Sequence, residues 1–166
     1  MGNNEQAVKY ASTAKECRPE MTEPYLILGE AYMNTGRRDL CFETYKSAEE
    51  NTVKTPALYI GWGIALQKFQ RLDEAREKFF TALVLSPNDE LLLSNIASNY
   101  ILKKEYDEAE KYLLKLIDMN PKNARAHYDL GIIRFENKIY DEALRLFQEA
   151  LSLSPKNYAL YFNIGD

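Results

Sequence analysis

Residues 141–155 read DEALRLFQEALSLSP, and residues 73–87 read DEAREKFFTALVLSP. The two stretches lie 68 residues apart and agree at 9 of 15 positions. Midway between them, residues 107–121 read DEAEKYLLKLIDMNP in the same frame, so the repeating unit is 34 residues long. Pro19, Pro87, Pro121 and Pro155 fall on one grid of that period, and Val53 takes its one vacant point. A fixed period in this range signals a solenoid or repeat array. With the proline counted as position 32, the complete units are 22–55, 56–89, 90–123 and 124–157. A half-unit, 1–21, precedes them and a partial unit, 158–166, follows, so a single array is expected.

Each unit reads as helix, short turn, helix, short turn. A first helix is expected over about 5–18, with Ala7, Ala11 and Ala14 on one face and Pro19 as its stop. Thr22 is expected to cap the next helix, which ends near Gly36. Thr55, Asp89, Asn123 and Asn157 are placed to cap the later first helices, with Pro56 at a first helical position. Asp39, Asp73, Asp107 and Asp141 stand at the start of the second helices, where a carboxylate meets the positive end of the dipole. No segment alternates with period two, so the expected fold class is all-α, a solenoid of antiparallel helix pairs.

The small residues set the packing. Position 8 holds Gly29, Gly63, Ala97 and Gly131, although glycine within a helix costs about 1 kcal/mol relative to alanine. Large residues stand opposite at position 24: Tyr45, Phe79, Leu113 and Phe147. Large side chains facing small ones let two helices interdigitate closely.

The segment Tyr25-x2-Leu28-Gly29-x2-Tyr32, together with Leu130-Gly131, Ala143-x3-Phe147 and Pro155, resembles the tetratricopeptide-repeat signature. The resemblance covers nearly the whole chain and holds in phase through four units. It implies a right-handed superhelix whose first helices line a concave groove. The chain departs from the pattern at Trp62, His127, Arg134 and Val53, where local repacking is expected.

Composition narrows the chemistry. A net charge of −4 argues against a nucleic-acid surface. No apolar run is long enough to span a membrane. A cytoplasmic setting is expected for what looks like a fragment of a longer protein. One histidine with two cysteines cannot build a zinc site, so no metal and no cofactor are expected. Cys17 and Cys41 are expected to be reduced and structural. His127 occupies a packing slot and has no evident catalytic partner, so no catalytic residue is assigned and the chain is expected not to be an enzyme. The Asp-Glu-Ala triplets recur with the repeat, which fits dipole compensation better than acid–base work.

The groove residues are carried over from the resemblance. They are Leu26, Glu30 and Met33 in the first unit, then Ile60, Ile64 and Lys68 in the second. The third unit supplies Ser94, Asn95, Ser98 and Ile101, and the fourth Arg125, Tyr128, Ile132 and Phe135; Phe162 begins the next. Tyr128, Ile132 and Phe135 form an i, i+4, i+7 stripe that reads as an exposed apolar surface. Chaperone-binding members of the family clamp a peptide carboxylate. Of that clamp's five polar roles only Asn95 and Arg125 are filled here, with Ile60, Ile64 and Asp129 in the others. The expected function is a protein–protein interaction scaffold holding an apolar peptide or helix. Its rivals are a self-assembling scaffold, joined through Tyr158, Leu160, Tyr161, Phe162 and Ile164 at the C-terminal end, and the repeat arm of a larger enzyme.

Overall fold

A computed structural model describes residues 2–155. Among the described residues, nine helices run in chain order: α1 (Gly2–Cys17), α2 (Thr22–Asn34), α3 (Arg38–Asn51), α4 (Pro56–Lys68), α5 (Leu72–Leu85), α6 (Glu90–Leu102), α7 (Tyr106–Met119), α8 (Ala124–Glu136) and α9 (Tyr140–Leu153). No strand occurs among the described residues. The fold is therefore all-α and built of repeated helix pairs. The helix contacts group into two compact bodies, Met1–Leu92 and Leu93–Asp166, dividing within α6. The Tyr158–Ile164 cluster and Phe162 lie outside the described residues.

The same turn joins each pair of helices. Gly36, Gln70, Lys104 and Lys138, one period apart, take positive φ angles of 71°, 63°, 60° and 64°. The next residue donates its N–H to a carbonyl five residues back: Arg37 to Tyr32, Arg71 to Leu66, Glu105 to Tyr100, and Ile139 to Arg134, each at 2.9 Å. A left-handed residue after the helix, with its neighbour reaching back to the last turn, satisfies carbonyls the helix leaves open.

Starts of the first helices follow the capping rule, with one correction. Thr55 Oγ1 accepts from the Leu58 N–H, Asp89 Oδ1 from Leu92, and Asn123 Oδ1 from Ala126. Thr22 does not cap α2. It is the first helical residue, and Met21 stands at the N-cap without a side-chain bond. Met21 occupies the repeat position of Thr55, Asp89 and Asn123, so geometry follows the period and the polar neighbour is passed over.

In the N-terminal body, α1 packs on α2, α2 on α3, both α2 and α3 on α4, and α4 on α5. Its core gathers Tyr25, Cys41, Tyr45, Ala48, Leu58 and Ala65, flanked by Tyr32 and Trp62. The glycines make that packing possible. A Cβ on Gly29 would lie 2.5 Å from the Tyr45 ring, and a Cβ on Gly61 would lie 3.1 Å from its hydroxyl. Gly63, two residues on and facing the other way, makes the same room for Phe79. Cys41 is fully buried, its Sγ–H donating to the Gly29 carbonyl at 3.3 Å. Cys17 is exposed, which corrects the expectation that both cysteines are structural.

In the C-terminal body, α8 packs on α7 and α9. Tyr100 of α6 stacks on Tyr112 of α7 with centroids 5.8 Å apart. Gly131 faces Phe147 as Gly29 faces Tyr45: a Cβ there would lie 2.6 Å from the ring. Arg134 stands where the earlier repeats have Tyr32, Leu66 and Tyr100, and it makes an ionic link instead. It donates to Glu110 of α7 through two nitrogens and pairs with Glu142 of α9 at 3.1 Å. The Arg134 hydrogen bond holds the Glu110 carboxyl below its ordinary pKa.

Candidate functional site: an apolar groove in the N-terminal body

Five of the residues assigned to a groove come together in the N-terminal body. Leu26, Glu30 and Met33 project from α2 at helical i, i+4, i+7 spacing, and Ile60 and Ile64 project from α4. With Ala57, Gly61 and Leu91 they line an open cavity of about 640 Å³. That is the size range of sites that hold a ligand or several side chains. Ile60 is buried against the floor, while Leu91 is 61% exposed at the rim.

Tyr45, which the repeat pattern marks only as a packing partner of Gly29, also lies on this floor. The Gly29 and Gly61 gaps let its ring pass between α2 and α4 to the groove side. The contact with Gly61 joins two adjacent repeats, so no pattern within one repeat could announce it. The large-to-small spacing in each unit was the only available signal. Burial, then the charges of Cys41 and Glu30, push the Tyr45 hydroxyl pKa up.

The groove's charges are of one sign. Glu30 and Asp89 are its only ionisable carboxylates, and no lysine, arginine or histidine lines it. Lys68, assigned to the groove, is exposed on α4 and does not border the cavity.

The remaining assigned residues belong to the C-terminal body. Ser94, Asn95, Ser98 and Ile101 are half-buried on α6, and the Asn95 Nδ2 is shielded from solvent with no hydrogen-bond partner among the described residues. Arg125 is already engaged: its Nε donates to both oxygens of Asp129, at 2.8 and 2.7 Å. Asp129 is buried, and burial raises its pKa while Arg125 opposes the rise. The Tyr128–Ile132–Phe135 stripe is not one exposed surface. Tyr128 is 5% exposed, its ring 5.4 Å from Phe147, and Ile132 packs against the same cluster. Only Phe135, 50% exposed and edge-on to Tyr140, stays open to solvent.

His127 is buried, and its Nε2 lies 2.9 Å from the Pro121 carbonyl. A carbonyl can only accept, so Nε2 carries the proton. Tyr25 makes the equivalent bond to the Pro19 carbonyl at 3.0 Å, so the two residues do the same structural job at the same repeat position, three periods apart. Among the described residues no His, Cys, Asp and Glu cluster could hold a metal ion. No helix there is long and apolar enough to cross a membrane.

Comparisons with known proteins agree with this architecture. Residues 103–158 match the family model described as tetratricopeptide repeat. The anaphase-promoting complex subunit CDC16 of Saccharomyces cerevisiae is 27% identical over 116 residues, 69% of this chain and 14% of that protein. The chain thus spans only a small part of that relative's length. Among solved structures, MamA superposes with a TM-score of 0.79 at 22% identity, over 95% of this chain and 92% of that one. YrrB, described as a TPR protein with an unusual peptide-binding site, superposes with a TM-score of 0.76 at 18% identity, over 98% of this chain and 84% of that one.

Proposed function

We propose that this chain, an all-α array whose residues 103–158 match the tetratricopeptide-repeat model, is a non-catalytic interaction module whose α2–α4 groove holds an apolar segment of a protein partner. Stacked helical repeats present extended surfaces suited to protein partners. One observation carries the finer reading: apolar side chains from three successive repeats, Leu26 and Met33, Ile60 and Ile64, and Leu91, converge on one open cavity. Exposed apolar surface of that kind marks interaction sites. The likeness to YrrB supports a peptide as the occupant.

The groove residues of α6 and α8 are not needed for this reading. Arg125 and Tyr128 are committed to Asp129 and Phe147 within their own body.

Random 12-residue peptides displayed on phage and selected against the whole chain test the proposal. Peptides recovered on the native chain should lose about tenfold or more in affinity on Leu91→Asp, because a charge then meets an apolar surface. Leu91 is exposed, so this variant should fold like the parent. Peptides that bind Leu91→Asp and Ile64→Asp as tightly as the native chain would place the site elsewhere.

A further inference from the structure

We infer that the segment held in this groove carries a lysine or arginine among its apolar side chains, set against Glu30. The inference rests on the groove reading above and adds the chemistry of the occupant. Glu30 lies between Leu26 and Met33 on the groove-facing line of α2. It is exposed and has no ion-pair partner among the described residues. The other carboxylate, Asp89, already accepts the Leu92 N–H at 2.9 Å, and the first turn of α6 offsets its charge. Glu30 is therefore the groove's uncompensated charge.

An apolar segment seated on Leu26 and Met33 would cover Glu30 and strip its water. Covering an ionised carboxylate without a partner is strongly unfavourable. An acidic residue at that point adds repulsion, and a neutral one leaves the cost in place. A cation reaching from an otherwise apolar segment removes it. Neither the lining nor Lys68 supplies that cation, so the partner must. The recognised pattern is apolar, basic, apolar, at a spacing that matches Leu26, Glu30 and Met33.

The same phage library tests this on the native chain and on Glu30→Gln, Glu30→Lys, Ile64→Asp and Leu91→Asp. Peptides selected on the native chain should be enriched in lysine or arginine flanked by apolar residues. Their affinity should fall by on the order of fivefold on Glu30→Gln, the upper range for an exposed pair. Selection on Glu30→Lys should shift the enrichment to aspartate or glutamate. Peptides that depend on Ile64 or Leu91 but show no basic preference, or an acidic one, would overturn the inference and leave the groove reading standing. If no selected peptide depends on Ile64 or Leu91, the groove reading fails and the inference with it.

Discussion

The Lys78 ammonium lies 3.7 Å from the centre of the Trp62 ring, and 3.1 Å from Glu49 Oε1. The three residues come from α5, α4 and α3, so one cation ties three helices of two repeats. Lys78 and Glu49 are both less than a third exposed, which limits solvent screening. A cation over an indole contributes about 0.5–2 kcal/mol depending on its desolvation. Lys78→Gln should therefore lower unfolding stability by about 1 kcal/mol in urea titrations. A double-mutant cycle with Glu49→Gln should show coupling of about 0.5–1 kcal/mol. Additive losses would mean the bridge is not formed.

Gly131 and Phe147 form a matched pair, as Ala97 and Leu113 do one repeat earlier. The first, second and fourth repeats use glycine against an aromatic ring, and the third uses alanine against leucine. Gly131→Ala should thus destabilise by about 1–3 kcal/mol through overpacking, although alanine is the better helix former. Phe147→Leu should recover much of that loss in the double variant. Chemical denaturation of the four proteins measures the cycle, and a neutral Gly131→Ala would refute the close approach.

Three of the four turns within helix pairs place a non-glycine residue in the left-handed region: Gln70, Lys104 and Lys138. Only Gly36 is free of the Cβ penalty there. Replacing any of the three with glycine should stabilise by on the order of 0.5–1 kcal/mol. The relief of about 1–2 kcal/mol is partly offset by glycine's greater freedom when unfolded. The gains should add, because the sites are far apart in sequence and share no partner. Thermal melts of the single and triple variants check this.

The two thiols should behave oppositely. Cys17 is exposed, whereas burial pushes the Cys41 pKa from 9.0 to about 11. Ellman's reagent should titrate one thiol quickly in the folded protein and the second only after denaturation. Cys41 and the neighbouring Tyr45 hydroxyl both hold their protons more tightly when folded. The Cys41 contribution to stability is full below 9.0 and is lost as pH rises toward about 11, and the Tyr45 contribution begins to fall only above 10.0. Urea midpoints should accordingly fall over that alkaline window, and less so in Cys41→Ala.

The helix pairs were legible because prolines, caps and small residues recur on one period. Met21 shows where local chemistry misled: Thr22 is the better capping residue, yet the period decides which residue stands at the cap. Part of the cavity lining was legible for the same reason, since Leu26, Glu30, Met33, Ile60 and Ile64 face one way on successive first helices. The Tyr128 stripe was misread because position 5 borders both groove and core. In Tyr128 the larger ring leans onto Phe147. Arg134 was read as a packing exception, but its partners Glu110 and Glu142 lie on helices before and after its own, beyond the reach of any pattern within one helix. Tyr45 was missed because its outlet to the groove depends on Gly61 of the following repeat.

Tyr45 also links the two sides of its layer. Its ring stacks on Trp62 at 6.2 Å and 10° while the same ring borders the groove. Trp62 is the chain's only tryptophan. A segment settling on Tyr45 would alter the surroundings of the one indole in the molecule. The protein thus carries a built-in optical gauge: its own ultraviolet emission, read without any attached dye, would register an occupant of the proposed groove.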